Sequence, residues 1–161
     1  MANSNNADIL RHSPLGRELT DPEIEALAKL IVVRDLKDGE VLLAEGISDS
    51  NMHVVVDGAI AVAKPGDGGR WNTLHMLTPG DFVGELSFMD NAPHFAALIA
   101  SGPTRVFSLS REKFETLIDT HPRAVYKAMC TIMRVVHAIQ RRLSMQIVEM
   151  QNYFFKVHGR Y

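Results

Sequence analysis

The sequence PGDFVGELSFMDNAPHFAA, from Pro79 to Ala97, is the most specific pattern in this chain of 161 residues. A tight Pro79-Gly80 turn and a short apolar step lead to Gly84 and Glu85, and a turn of helix-like pattern follows. Unpaired N–H groups at the start of a helix point outward and favour negative charge. We therefore expect an anion-binding cradle after Gly84, with Glu85 beside it as an acceptor for sugar hydroxyls.

The composition excludes several classes of protein. Hydrophobic residues make up 46% and charged residues 22% of the chain, which is ordinary for a globular protein. A net charge of −2 gives no general basic surface for nucleic acid or membrane. The single cysteine, Cys130, excludes an internal disulfide framework. No apolar run approaches the ~20 residues that span a bilayer, and the polar start has no signal-peptide pattern. We expect a cytoplasmic protein with no membrane contact.

Turn signals divide most of the chain into short strands. Asp57-Gly58, between two apolar runs, is a strong signal for a tight hairpin. The predicted strands are residues 40–44, 52–56, 59–63, 70–77, 95–100 and 105–109. Many short strands at this spacing indicate a closed or double-sheet β structure.

Two predictions concern the N-terminal part of the chain. Residues 1–8 are polar and are expected to be a disordered tail. Thr20 and Glu23 form the pattern of a capping box, which predicts a helix that ends near Val33.

A long helix is predicted near the C-terminus. From Arg123 to about Phe155 the chain has neither glycine nor proline, and such a helix would be about 50 Å long. Its apolar positions recur at steps of three and four residues, as in a coiled-coil seam. The seam consists of Met129, Ile132, Val136, Ile139, Leu143, Ile147 and Met150. We expect it to form a homodimer; the alternative is packing against the chain's own strands.

The segment after Pro79 resembles the phosphate-binding cassette of the cyclic-nucleotide-binding domain family, which includes catabolite-activator-type bacterial regulators. The family pattern is Gly-Glu-Leu-small-Leu-apolar, a short turn, then Pro-Arg-(Ser/Thr/Ala)-Ala. Residues 84–89, Pro93 and Ala96 fit it. The resemblance covers roughly residues 14–145. It implies a mainly β fold with flanking helices: a β-roll of the double-stranded β-helix or jelly-roll type, with the cassette near its mouth, plus a long C-terminal dimerisation helix.

The resemblance also implies the domain organisation. The β-roll, with N-terminal and short C-terminal helices, should cover residues 9–120, and the dimerisation helix and a short tail residues 121–161. Such a module senses a small molecule, signals through its dimer and is not an enzyme. The regulator branch of the family has a helix-turn-helix after the long helix. Only Lys156 to Tyr161 remain here, so we expect no direct DNA binding.

The ligand-binding residues implied by the resemblance lie in the cassette and at one position of the long helix. They are Phe82, Val83, Gly84, Glu85, Leu86, Ser87, Pro93, His94, Phe95, Ala96 and Gln140. His94 stands where the family has an arginine that pairs with the cyclic phosphate. Arginine presents a rigid, permanently charged fork that histidine cannot form, and losing such a bond costs ~1.5–3 kcal/mol. We therefore expect binding of cyclic AMP or cyclic GMP to be weak or absent.

Two functions of different classes remain open. In the first, the altered pocket binds a small anionic ligand, with His94 as a weak, pH-dependent contact or as a bystander. In the second, Phe95 fills the pocket and the chain is a ligand-free dimerising module that binds a protein partner. No metal is expected, because the other histidines are not spaced as a metal-binding pair.

Overall fold

The computed structural model describes residues 2–158, and the side chains of residues 5–156. Two four-stranded antiparallel sheets form the roll. The first sheet contains, in spatial order, β1 (Val32–Leu36), β8 (Thr104–Ser110), β3 (Asn51–Asp57) and β6 (Phe82–Val83). The second contains β2 (Val41–Leu43), β7 (Ala97–Ala100), β4 (Ile60–Pro65) and β5 (Trp71–Leu77). The predicted fold class, a β-roll with flanking helices, is confirmed.

Six α-helices flank the sheets within the described residues. They are α1 (Ala2–His12), α2 (Asp21–Ala28), α3 (Glu85–Asp90), α4 (Arg111–Glu115), α5 (Leu117–Thr120) and α6 (Pro122–His158). Short 3-10 turns lie at Pro14–Gly16 and Asp67–Gly69. Helices α1, α2 and the start of α6 share one hydrophobic core with the outer face of the first sheet.

Strand β3 shows how the first sheet serves two cores. Because side chains alternate between the faces of a strand, Met52 and Val54 join the core under the helices. Val55 faces the interior of the roll and joins the core between the two sheets. His53 lies on that interior face, directly opposite Ser108 of β8. The fold thus places a polar pair inside the roll.

The predicted disordered tail over residues 1–8 was wrong from residue 2 onward. Residues 2–8 belong to α1, in which Ala7 and Leu10 are buried. The Asn6 side-chain amide also donates to the Ala28 carbonyl, 3.1 Å away. These contacts are made with residues far along the chain, so the local polar composition does not reveal them.

The helix predicted from Thr20 to about Val33 has the right start and the wrong end. Thr20 and Glu23 form the expected capping box. The helix ends at Ala28, and Val32 already begins β1, which pairs with β8. The β-branched residues before Arg34 are stiff at χ1 and favour a strand once a partner strand is available.

Helix α6 is a single helix of 37 residues, as the absence of glycine and proline predicts. Its N-terminal part is fixed by packing, because Ala124, Ala128 and Ile132 are buried in the core under the helices. Every residue from Arg141 to Lys156 is exposed.

The predicted seam is therefore divided along α6. Met129, Ile132 and Val136 pack against the core of their own chain, as the alternative interpretation predicts. Leu143, Ile147 and Met150 are about half exposed. Only this C-terminal part of the seam is available for a partner.

Glu23 joins α2 to α6. Its carboxylate accepts a hydrogen bond of 2.7 Å from the ammonium of Lys127 and another of 2.8 Å from the Thr20 N–H. Burial alone would raise the pKa of Glu23, but these bonds from Lys127 and Thr20 hold that pKa below its ordinary value. The carboxylate is only 11% exposed, so it depends on these partners.

We expect Lys127→Met to lower the free energy of unfolding by about 1–3 kcal/mol, because it leaves the Glu23 carboxylate without its charged donor. Urea unfolding at pH 7 measures the change. Lys29→Met removes the same charge from an exposed position at the end of α2 and is the control. Equal stabilities of the two variants would show that the Glu23 contact does not stabilise the docking of α6.

Candidate ligand-binding site

A cavity of about 340 Å³ lies between the cassette, β5 and α6. This volume is at the lower end of the ~300–1,000 Å³ typical of ligand pockets. Most of its wall is apolar, and its polar lining residues are His75, Glu85, His94, Arg142 and Gln146. Cavities of about 350 and 360 Å³ lie beside α1 and beside β1. We favour the first, because convergent polar groups in an apolar wall are typical of ligand sites and the predicted cassette lies there.

The structure brings only part of the predicted ligand-binding set to this cavity. The lining includes Phe82, Val83, Glu85, His94, Phe95 and Ala96. The predicted residues outside the lining are Gly84, Leu86, Ser87, Pro93 and Gln140. Gln140 lies outside because α6 turns Ile139, Arg142 and Leu143 toward the roll, and its predicted role stays a prediction. Ligand binding by the lining residues stays a prediction.

Gly84 is required by both conformation and space. Its φ of +84° is in the left-handed region, where it caps the N-terminus of α3. A Cβ at this position would lie 2.7 Å from the Asn51 carbonyl oxygen and 3.2 Å from the His94 ring. Any other residue would therefore move the cassette away from β3.

Phe95 does not fill the cavity. Its side chain is 67% exposed, and the Lys64 ammonium lies 5.9 Å from the centre of its ring. The cavity remains open beside it. The prediction that Phe95 plugs the pocket was wrong, because the ring lies on the wall and faces solvent.

His94 is held by a carboxylate that the sequence analysis did not identify. Its Nε2 lies 3.3 Å from one oxygen of Asp49, and Nε2 of His53 lies 3.2 Å from the other. An ionised carboxylate only accepts hydrogen bonds, so both rings donate to it. Nδ1 of His53 then bonds to the Ser108 hydroxyl, 2.7 Å away. Ser108, His53, Asp49 and His94 form a continuous chain of polar side chains.

The chain of hydrogen bonds is shielded from water. The side chains of His53, His94 and Asp49 are 5%, 8% and 18% exposed. Burial alone would raise the pKa of Asp49, but hydrogen bonds from His53 and Asn51 outweigh it and hold that pKa well below its ordinary range. Asp49 is therefore a fixed negative charge next to the cassette.

Backbone bonds tie the same loop to the cassette. The Asp49 N–H donates to the Ser87 hydroxyl at 3.4 Å. Ser87, which was predicted to bind the ligand, therefore helps to position the Asp49 loop. The His94 N–H donates to the Ile47 carbonyl at 2.9 Å, and the Gly46 N–H donates to the His94 carbonyl at 2.7 Å. His94 is thus fixed through both backbone and side chain.

Metal binding has no support in the part of the chain that the structure describes. No group of three or more His, Cys, Asp or Glu side chains there is arranged to hold a metal ion. Nor is any helix among residues 2–158 long and apolar enough to cross a membrane.

A β-roll whose cavity is bounded by a glycine–glutamate cassette and a long helix defines a ligand-binding regulatory module. Residues 33–121 match the sequence pattern of the cyclic nucleotide-binding domain family. The chain belongs to this family, as its cassette predicted.

Relatives of known function are distant. The chain is 30% identical over 110 residues to a cAMP-dependent protein kinase regulatory subunit of Mycosarcoma maydis; the match covers 65% of this chain and 21% of that protein. It is 27% identical over 148 residues to the cAMP-activated global transcriptional regulator CRP of Salmonella typhimurium, covering 91% of this chain and 67% of the regulator. Neither match spans the whole relative, so the activities of those whole proteins are not established for this chain.

A solved structure confirms the fold over almost the whole chain. It is a cyclic nucleotide-binding domain from Methylobacillus flagellatus KT, with a TM-score of 0.80 and 21% sequence identity. The alignment covers 92% of this chain and 85% of that one.

We expect Asp49→Asn to weaken the acid sensitivity of the fold. A carboxylate whose pKa is lower in the folded state stabilises the fold above its unfolded value, about 3.9, and loses this effect as pH falls toward the folded value. The parent should therefore lose stability more steeply below about pH 4 than the variant.

Urea unfolding at pH 6, 4 and 3 tests this expectation. Asp67→Asn, in an exposed loop, is the matched control and should follow the parent. Parallel pH profiles for the parent and Asp49→Asn would show that the histidine contacts do not stabilise the Asp49 carboxylate.

Proposed function

We propose that the chain is a sensor module that binds a small anionic molecule in its roll and signals through a homodimer formed by α6. The observation that carries this proposal is the cavity of about 340 Å³, because the cassette and the long helix share its wall. A ligand there contacts both parts at once. The names of the two curated relatives connect them with cyclic AMP, which makes a nucleotide the natural first candidate.

The cassette itself is poorly suited to the phosphate of a cyclic nucleotide. His94 takes the arginine position, and its Nε2 already bonds to Asp49. A phosphate at His94 would also lie near the negative charge of Asp49, which disfavours it. We therefore propose a ligand whose anionic group binds elsewhere in the cavity.

We propose binding without catalysis. Ser108, His53 and Asp49 are the residue types of a hydrolase triad, but Ser108 lies within β8 between two partner strands. Acyl transfer needs N–H donors directed at the developing oxyanion, and the backbone of β8 at Ser108 is engaged in two strand ladders. A structural role for this chain of hydrogen bonds accounts for its burial.

The surface of α6 supports a dimer. Leu143, Ile147 and Met150 lie on one stripe and are 52%, 52% and 55% exposed. Leu74 and Met76 of β5 are further exposed apolar residues of this chain. A second copy that pairs with this stripe would bury it, as coiled-coil seams do.

We expect Ile147→Glu to yield a folded monomer, because burying an unpaired carboxylate in a seam is costly. Ile147 is the preferred site, since it does not line the cavity, whereas Leu143 does. Light scattering at tens of micromolar measures the mass. Met145→Glu changes an equally apolar, exposed residue on the opposite side of the helix and should stay dimeric. A monomeric parent, or equal effects of the two variants, would contradict the dimer.

We expect cyclic AMP and cyclic GMP to bind the parent only weakly, and the double change His94→Arg with Phe95→Ser to strengthen binding. The new arginine supplies the phosphate fork, and the new serine supplies a hydroxyl. Isothermal titration calorimetry compares the two proteins. Phe95→Ser alone is the control and should change little, since that ring is mostly exposed. Tight binding by the parent that the double change leaves unaltered would show that the phosphate does not bind at residue 94.

A further inference from the structure

We infer that Arg142, with His75 beside it, binds the anionic group of the ligand in place of the cassette arginine. This inference rests on the proposed sensor function and names the chemistry of its ligand. The ligand is a nucleoside monophosphate, or a molecule with the same ring body, hydroxyl groups and single phosphate.

The position of Arg142 fits this role. Its Nη2 lies 3.2 Å from Nε2 of His75, and both residues line the cavity. The guanidinium has five N–H donors in a rigid fork. The bond to His75 uses one of them and anchors the exposed side chain at the cavity, so the remaining donors are available to a ligand.

Two other cations on α6 are paired with carboxylates. Lys127 donates to Glu23 at 2.7 Å, and Arg134 donates to Glu18. Among the described residues, no carboxylate forms an ion pair with Arg142. Other arginines in the described part of the helix share this lack of an ion pair, so the position on the apolar cavity is what distinguishes Arg142. An anionic ligand supplies the counter-ion that the protein does not.

The remaining charges of the cavity favour the same orientation. On the cassette side, Glu85 contributes negative charge. His94, on the same side, is already paired with Asp49. Phosphate is therefore repelled from that side and attracted to Arg142. Glu85 is then left to accept hydrogen bonds from hydroxyl groups of the ligand.

The middle of the cavity suits an uncharged ring. Val62 and Leu98 of the second sheet form one side, and Ile139 and Leu143 of α6 form the other. A heteroaromatic ring between them would bury apolar surface without leaving charges unpaired. One ligand would then span from Glu85 on the roll to Arg142 on the helix.

Calorimetry with matched ligands and matched variants tests this assignment on the full chain. The ligands are adenosine 5′-monophosphate, cyclic AMP and adenosine, which lacks the phosphate. The variants are Arg142→Gln and Arg141→Gln; Arg141 is the exposed neighbour and does not line the cavity. Arg142→Lys keeps the charge and loses the fork, and circular dichroism confirms that each variant is folded.

We expect at least one of the two phosphates to bind the parent about ten-fold or more tightly than adenosine. Arg142→Gln should abolish this preference, Arg141→Gln should keep it, and Arg142→Lys should keep part of it. If a phosphate binds but Arg142→Gln leaves its affinity unchanged, or if adenosine binds equally well, Arg142 is not the anion contact although the sensor function stands. If none of the three ligands binds the parent, the proposed ligand class and this assignment both fall.

Discussion

The Asp49 carboxylate is the interaction on which the geometry of the site depends. It joins β3, through His53, to the cassette, through His94, and its own backbone is held by Ser87. A buried carboxylate must be compensated by hydrogen bonds. Here they come from Asn51 and His53, within four residues of Asp49, and from His94, 45 residues away. Because a Cβ at Gly84 would lie only 2.7 Å from the Asn51 carbonyl oxygen of β3, the cassette also packs directly against the first sheet.

Because of this constraint, we expect residue 94 of the cassette not to bind the anionic group of a ligand. A side chain that is fixed by a buried carboxylate is not free to follow a ligand. Cationic recognition is then left to Arg142, which lies on a part of α6 without buried residues. The buried wall and the exposed wall of the cavity therefore belong to different elements.

The sequence predicted elements whose signals are local. Asp57-Gly58 marked the turn between β3 and β4, and the lack of glycine and proline after Pro122 marked α6. The tight hairpin predicted at Asp57-Gly58 was wrong, because β3 and β4 belong to different sheets and pair with other strands. It did not predict β1, whose strand conformation depends on pairing with β8, or α1, whose docking depends on contacts such as that of Asn6 with Ala28. Asp49 lies in a polar loop, and its bond to His94 spans 45 residues. No periodicity or spacing within the loop indicates that contact.

The division of α6 connects the two halves of the proposed function. Up to Ile132 the helix is anchored in the core, and Lys127 adds a bond to Glu23. Beyond that point one helical stripe carries Leu143, which lines the cavity, and Ile147, which is exposed and does not. Since a helix moves as a stiff rod over two turns, a ligand that draws Arg142 toward the roll would also reorient Ile147. Occupancy of the cavity and the geometry of a dimer seam are therefore coupled through a single rigid segment, without any further moving part.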